Sequence, residues 1–277
     1  MKSVSFPDGE SVPALGQGTW MMGESVALRS EEIATLQMGL DAGARLIDTA
    51  EMYGDGASES LIGEAMAGRR DRTFLVSKVY PHNASRSGVK AACERSLKRL
   101  KTDYLDLYLL HWRGSIPLAE TIAGFERLMA EGKIRRWGVS NFDPADMEEL
   151  RAATGGSAVA TNQVLYNLTR RGIEWDLLPE AQRQGMPIMA YSPIEQAALA
   201  NHAGLHRLAT EIGTNASALA LAWVLDRDGV IAIPKTSRRV HFSANWQCLD
   251  IRLTPDIRSA LNRLFPPPKR ATPLQML

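Results

Sequence analysis

A single-domain (β/α)8 barrel is the fold that this sequence predicts for residues 1–277, and three observations lead to it. Short apolar runs recur eight times, at intervals of roughly 20 to 40 residues, with amphipathic stretches between them. Those stretches carry helix start and stop residues. Several of the runs lack in-out alternation, as expected of parallel strands covered on both faces. Strands alternating with helices imply right-handed crossovers, and eight such units close naturally into a barrel.

The elements follow in order. "VSFPDGESVP" reads as a hairpin turning at "PDG" and capping the bottom, N-terminal end of the barrel. The strand candidates are "PALGQGT" (13–19), "RLIDTA" (45–50), "TFLVSKV" (73–79), "YLDLYLLH" (104–111), "RWGVSN" (136–141), "TNQVLY" (161–166), "PIMAYSP" (187–193) and "VIAIPKT" (230–236). Ser30 is the expected N-cap of "EEIATLQMGLDAG", which has acids in its first turn and a glycine stop. "VKAACERSLKRL" and "LAETIAGFERLMAEG" show helical spacing, the second ending at Gly132. "DPADMEELRAA" opens with Asp143 as cap and Pro144 in the first turn. The proline-rich tail "FPPPKRATPLQML" cannot continue a helix and is expected to wrap the surface.

Composition excludes several classes. The chain is 45% hydrophobic and 23% charged, with Lys+Arg 32 against Asp+Glu 31. That balance gives no support for a nucleic-acid or membrane-surface partner. Cys93 and Cys248 make no disulfide framework or metal spacing. "MKSVSFPDGE" lacks a signal-peptide core, and "ALALAWVL" (218–225) is too short to cross a bilayer. A cytoplasmic monomer is expected. "GQGTWM" (16–21) has Met21 where a dinucleotide fingerprint needs a small residue, and no helix opens there. His202 and His206 stand at a metal-ligand spacing without further ligands, so a solvated helix face is expected and no metal.

Chemistry in such barrels sits at the C-terminal ends of the strands. Asp48, Lys78 and His111 end strands two, three and four, and Tyr53 lies in the loop after strand two. Asn141, Gln163, Tyr191 and Lys235 fall at or near the ends of strands five to eight. Each alone has a plain structural explanation; eight at one end point to a site. A tyrosine has a pKa of about 10, and an ammonium such as Lys78 favours its phenolate and lowers that value. Asp48 would hold the lysine charged, and His111 would donate a hydrogen bond to a carbonyl oxygen. The set makes a proton donor for a developing alkoxide, which is half of a carbonyl reduction.

The chain resembles the aldo-keto reductases over nearly its whole length, through "GARLIDTAEMYGDGASESLIG", "TFLVSKV", "RLKTDYLDLYLLHW", "GKIRRWGVSNF", "TNQVLYN", "AYSP" and "IPKT". The resemblance implies Asp48, Tyr53, Lys78 and His111 as a catalytic tetrad with Tyr53 the general acid, and NADPH/NADP+ as cofactor. It places Ser140, Asn141 and Gln163 at the carboxamide, Tyr191 against the nicotinamide, and Ser192 and Ile194 along the pyrophosphate. Lys235 and Thr236 would meet the 2′-phosphate and Asn245 the adenine. The chain departs from many relatives at His241, where they carry arginine, at Ala244, where they carry an acid, and in "IEQ" after "AYSP". Arg238 or Arg239 is the candidate for the missing positive charge.

Trp20, Tyr80 and Trp112 lie just beyond strands one, three and four, as walls of an apolar pocket or as packing of the rim. The short loop "WRGSIPL" and the short tail leave little protein for a roof, so a fairly open site for small aldehydes and ketones of the methylglyoxal type is expected. Two other functions fit parts of the pattern: a Schiff-base lyase using Lys78 or Lys235, and a non-catalytic NADPH-binding sensor.

Overall fold

The computed structural model describes residues 2–277. An antiparallel hairpin comes first, β1 (Ser3–Ser5) with β2 (Ser11–Pro13). Eight parallel strands follow: β3 (Gln17–Gly18), β4 (Leu46–Asp48), β5 (Phe74–Val79), β6 (Leu107–Leu110), β7 (Trp137–Ser140), β8 (Asn162–Leu165), β9 (Ile188–Tyr191) and β10 (Val230–Ala232). Each pairs with the next in chain order. The ring is closed by backbone bonds from Ala232 N–H to Ala14, from Gly16 N–H to Ala232 and from Gly18 N–H to Pro234. Gly18 allows that closure, since a Cβ there would meet the carbonyl oxygen of Ile233 at 2.7 Å.

The helices are α1 (Arg29–Ala42), α2 (Ala57–Ala65), α3 (Arg86–Leu100), α4 (Leu118–Ala130), α5 (Pro144–Ala152), α6 (Leu177–Arg183), α7 (Ala203–Glu211), α8 (Ala216–Leu225), α9 (Arg239–Trp246) and α10 (Pro255–Leu264). Asp143 caps α5 as expected, in a reciprocal capping box with Asp146. Ser30 does not cap α1. The turns over Ser25–Leu28 run into the helix, Leu28 takes the N-cap position, and no side chain caps it. His202, one of the two histidines at helical spacing, lies outside α7 and caps it, its Nδ1 accepting from Leu205 N–H at 3.1 Å. Its ring packs 4.8 Å from that of Phe265.

The hairpin covers the N-terminal end of the ring. Phe6 stacks on Phe74, the first residue of β5, with ring centroids 5.2 Å apart. The Arg136 guanidinium lies over both rings and pairs with Asp8 in the hairpin turn at 2.9 Å. That plug leaves the opposite end, where the strands finish, as the end open to ligands. No single helix among the described residues is long and apolar enough to cross a membrane. The apolar α8 is buried except at Ser217.

Candidate active site

Three of the strand-end residues meet inside the ring. Asp48 closes β4 and lies under the open end with its side chain buried. One carboxylate oxygen accepts from Lys78 Nζ at 2.7 Å, and the other from Gln163 Nε2 at 2.7 Å. Gln163 comes from β8, so the second bond spans the barrel and fixes the carboxylate from the far side. Hydroxyls support it from outside: Ser58 donates to Thr19 Oγ1 at 2.9 Å, and Thr19 to the Asp48 carbonyl at 2.9 Å.

Lys78 is 0% exposed, which demands a partner for every proton of its ammonium. All three are found: Asp48 Oδ2 at 2.7 Å, the Thr49 carbonyl at 2.8 Å and Tyr53 Oη at 3.3 Å. Burial alone would lower the lysine pKa, but the Asp48 carboxylate and the Tyr53 phenol outweigh it and hold it above its ordinary value. Burial also raises Asp48, against the pull of Lys78 and Gln163.

Tyr53 starts a tight turn, "YGDG", in which Gly54, Asp55 and Gly56 all take positive φ (55°, 50° and 91°) before α2 begins. Glycine adopts that conformation freely and aspartate tolerates it, so the sequence can fold the phenol back over the strand ends. The phenol pKa is raised, not lowered as expected. Burial is the largest cause and Asp48 adds to it, and together they exceed the opposing pull of Lys78. Tyr53 therefore rests as a protonated acid.

His111 follows β6, its ring edge-on to Tyr53 with centroids 5.9 Å apart. Burial, with the nearby Lys78 charge, drives its pKa well below the ordinary histidine value, so the ring is neutral. Its Nδ1 is buried without a partner. An N–H there would be an unsatisfied buried donor, which assigns the proton to Nε2.

Tyr80 and Trp112 stand edge to face at 5.6 Å, and Trp112 lies 4.9 Å from His111, so two of the three expected wall residues do gather at the site. Trp20, the third, is 45% exposed. Ser140, Asn141 and Tyr191 form a rim on the other side. Tyr191 donates to Asn141 Oδ1 at 3.0 Å, Asn141 Nδ2 donates to the His111 carbonyl at 3.2 Å, and Ser140 to the Gln163 carbonyl at 2.8 Å. Burial pushes the Tyr191 phenol up to about 12. The tail wraps the surface as expected, exposed throughout residues 271–277 except at the half-buried Leu274; Thr272–Gln275 run beside Leu165 and Arg170, and the Leu277 backbone reaches the Tyr191 phenol.

Beyond β9, Ser192 takes φ 46°, and Glu195, Gln196 and Ala197 take φ 48°, 49° and 72°, three successive non-glycine residues in the left-handed region. Each is unfavourable by on the order of 1 kcal/mol. The Glu195 carboxylate is anchored by Arg170 at 2.7 Å and Asn167 at 2.5 Å, contacts with no signal in the sequence. Ile194 immediately precedes this run.

After β10, Lys235 is half-buried and forms no ion pair among the described residues, and burial lowers its pKa. Thr236 exchanges hydrogen bonds with the Arg238 backbone. Arg239 is committed elsewhere: Glu31 of α1 takes its Nη2 at 3.1 Å, its Nε at 3.3 Å and its backbone N–H at 3.1 Å. Arg238 makes no such pair among the described residues. A shallow cleft of about 730 Å3 borders both arginines, Leu28 and Val240. His241 and Asn245 follow on α9, with Asn245 buried.

Comparison with known proteins adds independent evidence. Residues 14–264 match the model of the Aldo/keto reductase family. The chain is 50% identical to methylglyoxal reductase YeaE of Escherichia coli K12, over 100% of this chain and 99% of that protein. It is 28% identical to methylglyoxal reductase DkgB of Salmonella typhi, over 92% of this chain and 93% of that protein. The crystal structure of an aldo/keto reductase from Klebsiella pneumoniae in complex with NADP and acetate is similar with TM-score 0.97, at 50% identity, covering 100% of this chain and 99% of that one.

Proposed function

This chain belongs to the aldo/keto reductase family, and on that footing we propose that it reduces small aldehydes and ketones of the methylglyoxal type with NADPH, Tyr53 being the proton donor. The state of Lys78 carries this reading: a fully buried ammonium whose third proton is aimed at the Tyr53 oxygen. While the phenol is neutral, that contact is an ordinary hydrogen bond. Once the proton has passed to the substrate oxygen, a phenolate faces the buried Lys78 ammonium at 3.3 Å. The attraction grows as the reaction proceeds, which is the condition for lowering a barrier. Nε2–H of the neutral His111 is the second donor to the same substrate oxygen. A lysine held charged on three acceptors is a poor Schiff-base nucleophile, which weighs against a lyase at Lys78.

The residues fit the cofactor. Tyr191 presents a half-buried ring pinned at its hydroxyl, and Lys235 is a half-buried cation without a carboxylate partner among the described residues. Ser140, Asn141 and Gln163 would hold the carboxamide, Tyr191 the nicotinamide face, Ser192 and Ile194 the pyrophosphate, and Lys235 and Thr236 the 2′-phosphate. Asn245, with His241 nearby, would meet the adenine. When bound, NADPH supplies the hydride. Trp112 and Tyr80 form the apolar wall, with Trp20 at its edge. Residues from Val4 to Phe265 share one hydrophobic core, which supports a single domain, and we take it to act as a monomer in the cytoplasm.

Loss of NADPH absorbance on adding methylglyoxal to the purified protein tests the activity, with NADH run in parallel. No oxidation with methylglyoxal or any of a panel of small aldehydes and ketones would sink the reductase reading. Because Arg239 is neutralised by Glu31, the charge beside Lys235 is assigned to Arg238. Arg238→Ala is expected to weaken NADPH about tenfold or more, as loss of a charge-assisted bond does, and to leave NADH unchanged. Arg239→Ala should move neither by more than about threefold. The reverse order of effects in fluorescence titrations would return the role to Arg239.

The pH dependence follows from two directions. Tyr53 must be protonated, and its pKa lies above the ordinary 10.0. His111 must be neutral, and its pKa lies well below 6.5. Neither group titrates between roughly pH 7 and 9, so kcat for reduction should be flat there and fall only as pH rises through the Tyr53 value. A limb near neutrality in the kcat profile would contradict the neutral His111.

A further inference from the structure

We propose that Glu51 is a positioning residue for the substrate, holding the aromatic wall in register with the proton donor; this rests on the reading of Tyr53 as that donor. Glu51 lies in the loop leaving β4, two residues before Tyr53, and is 8% exposed. A buried carboxylate needs partners, and it finds them one loop further round the barrel rather than in the catalytic cluster. One oxygen accepts from the Tyr80 backbone N–H at 2.8 Å and from Asn83 Nδ2 at 3.0 Å. The other accepts from Arg95 of α3 at 3.3 Å. The Glu51 backbone N–H in turn donates to the Lys78 carbonyl at 3.3 Å.

The consequence is a closed mechanical circuit. From Glu51 the chain runs two residues to Tyr53. In the other direction its carboxylate fixes Tyr80, whose ring meets Trp112 edge-on at 5.6 Å and 88°. Trp112 packs on His111 at 4.9 Å, and His111 faces Tyr53 at 5.9 Å. The carboxylate is thus the one polar joint in a loop of contacts that otherwise consists of chain and rings. A wall of rings slides easily; a backbone bond to a buried charge does not. Glu51 sets where the apolar part of a substrate rests when its carbonyl is at Tyr53. An aromatic aldehyde uses that wall, whereas methylglyoxal is too small to depend on it.

The test is the ratio of kcat/KM for 4-nitrobenzaldehyde to kcat/KM for methylglyoxal, which is insensitive to the fraction of active protein. Glu51→Ala should lower that ratio about tenfold, mostly through KM of the aromatic substrate, since small misplacement of a positioned substrate is costly. Glu51→Gln keeps an acceptor for Tyr80 N–H and should restore the ratio to within about threefold of the parent. NADPH affinity should be unchanged in both. Should Glu51→Ala not fold, Asn83→Ala loosens the same joint without leaving a buried charge unpaired, and a fall of about threefold is expected. A lower Tm with an unchanged ratio would make Glu51 merely structural and overturn the proposal. If the parent protein reduces neither aldehyde, the reductase reading falls with it, an outcome separate from the first.

Discussion

Tyr53→Phe is expected to leave a folded protein that binds NADPH normally and reduces methylglyoxal at roughly a thousandth of the parent rate, the scale on which a positioned general acid contributes. The change deletes a single oxygen. The ring keeps its place beside His111, and Lys78 keeps Asp48 and the Thr49 carbonyl as partners. The fold should therefore be nearly indifferent to the substitution. What is lost is the donor whose proton transfer leaves a phenolate hydrogen-bonded to the Lys78 ammonium; the neutral His111 makes no hydrogen bond to that lysine among the described residues. The measurement is single-turnover reduction beside an NADPH fluorescence titration. Parent-like turnover in the variant would remove Tyr53 from the chemistry and, with it, the assignment of the cluster.

The barrel and its cluster were legible because barrel strands announce themselves twice, as apolar runs and by the polar residue that ends each run. Asp48, Lys78 and His111 sit where a buried strand reaches the open end, a position the sequence marks directly. Features decided by distant partners were not legible. Arg239 reads as a free cation until Glu31, 208 residues away in the chain, is seen to hold it. Ser30 has the right chemistry for a cap, but the turns before α1 carry the helix past it. The expected lowering of the Tyr53 pKa counted its charged neighbour and not its burial, and burial is the larger cause. Glu51 stands inside the most specific motif in the chain, yet its partners lie 29 to 44 residues on, so it looks like any loop glutamate. The tail's approach to Tyr191 is likewise a matter of where the chain goes after α10, which prolines permit but do not dictate.

Lys78→Met separates stability from chemistry, and its effect on stability should be the largest of any single change in the site. The substitution leaves Asp48 charged and buried with Gln163 as its remaining side-chain donor. Breaking one side of a buried pair typically costs about 3–5 kcal/mol, which for a chain of this size is a fall in Tm on the order of 10 °C. Activity should be lost as well, since no ammonium faces the phenolate. The double variant Asp48→Leu with Lys78→Met removes both charges together, and an apolar replacement of a buried pair is commonly neutral or stabilising. It should recover most of the lost Tm and none of the activity. Thermal unfolding and NADPH oxidation, measured on the single and double variants side by side, decide the matter. If the double variant melts as low as Lys78→Met, the pair is part of the barrel's own stability. If instead the Tm returns while turnover stays absent, the buried Asp48–Lys78 pair is retained for what it does to Tyr53, and an apolar pair would fill the same space at no loss to the fold.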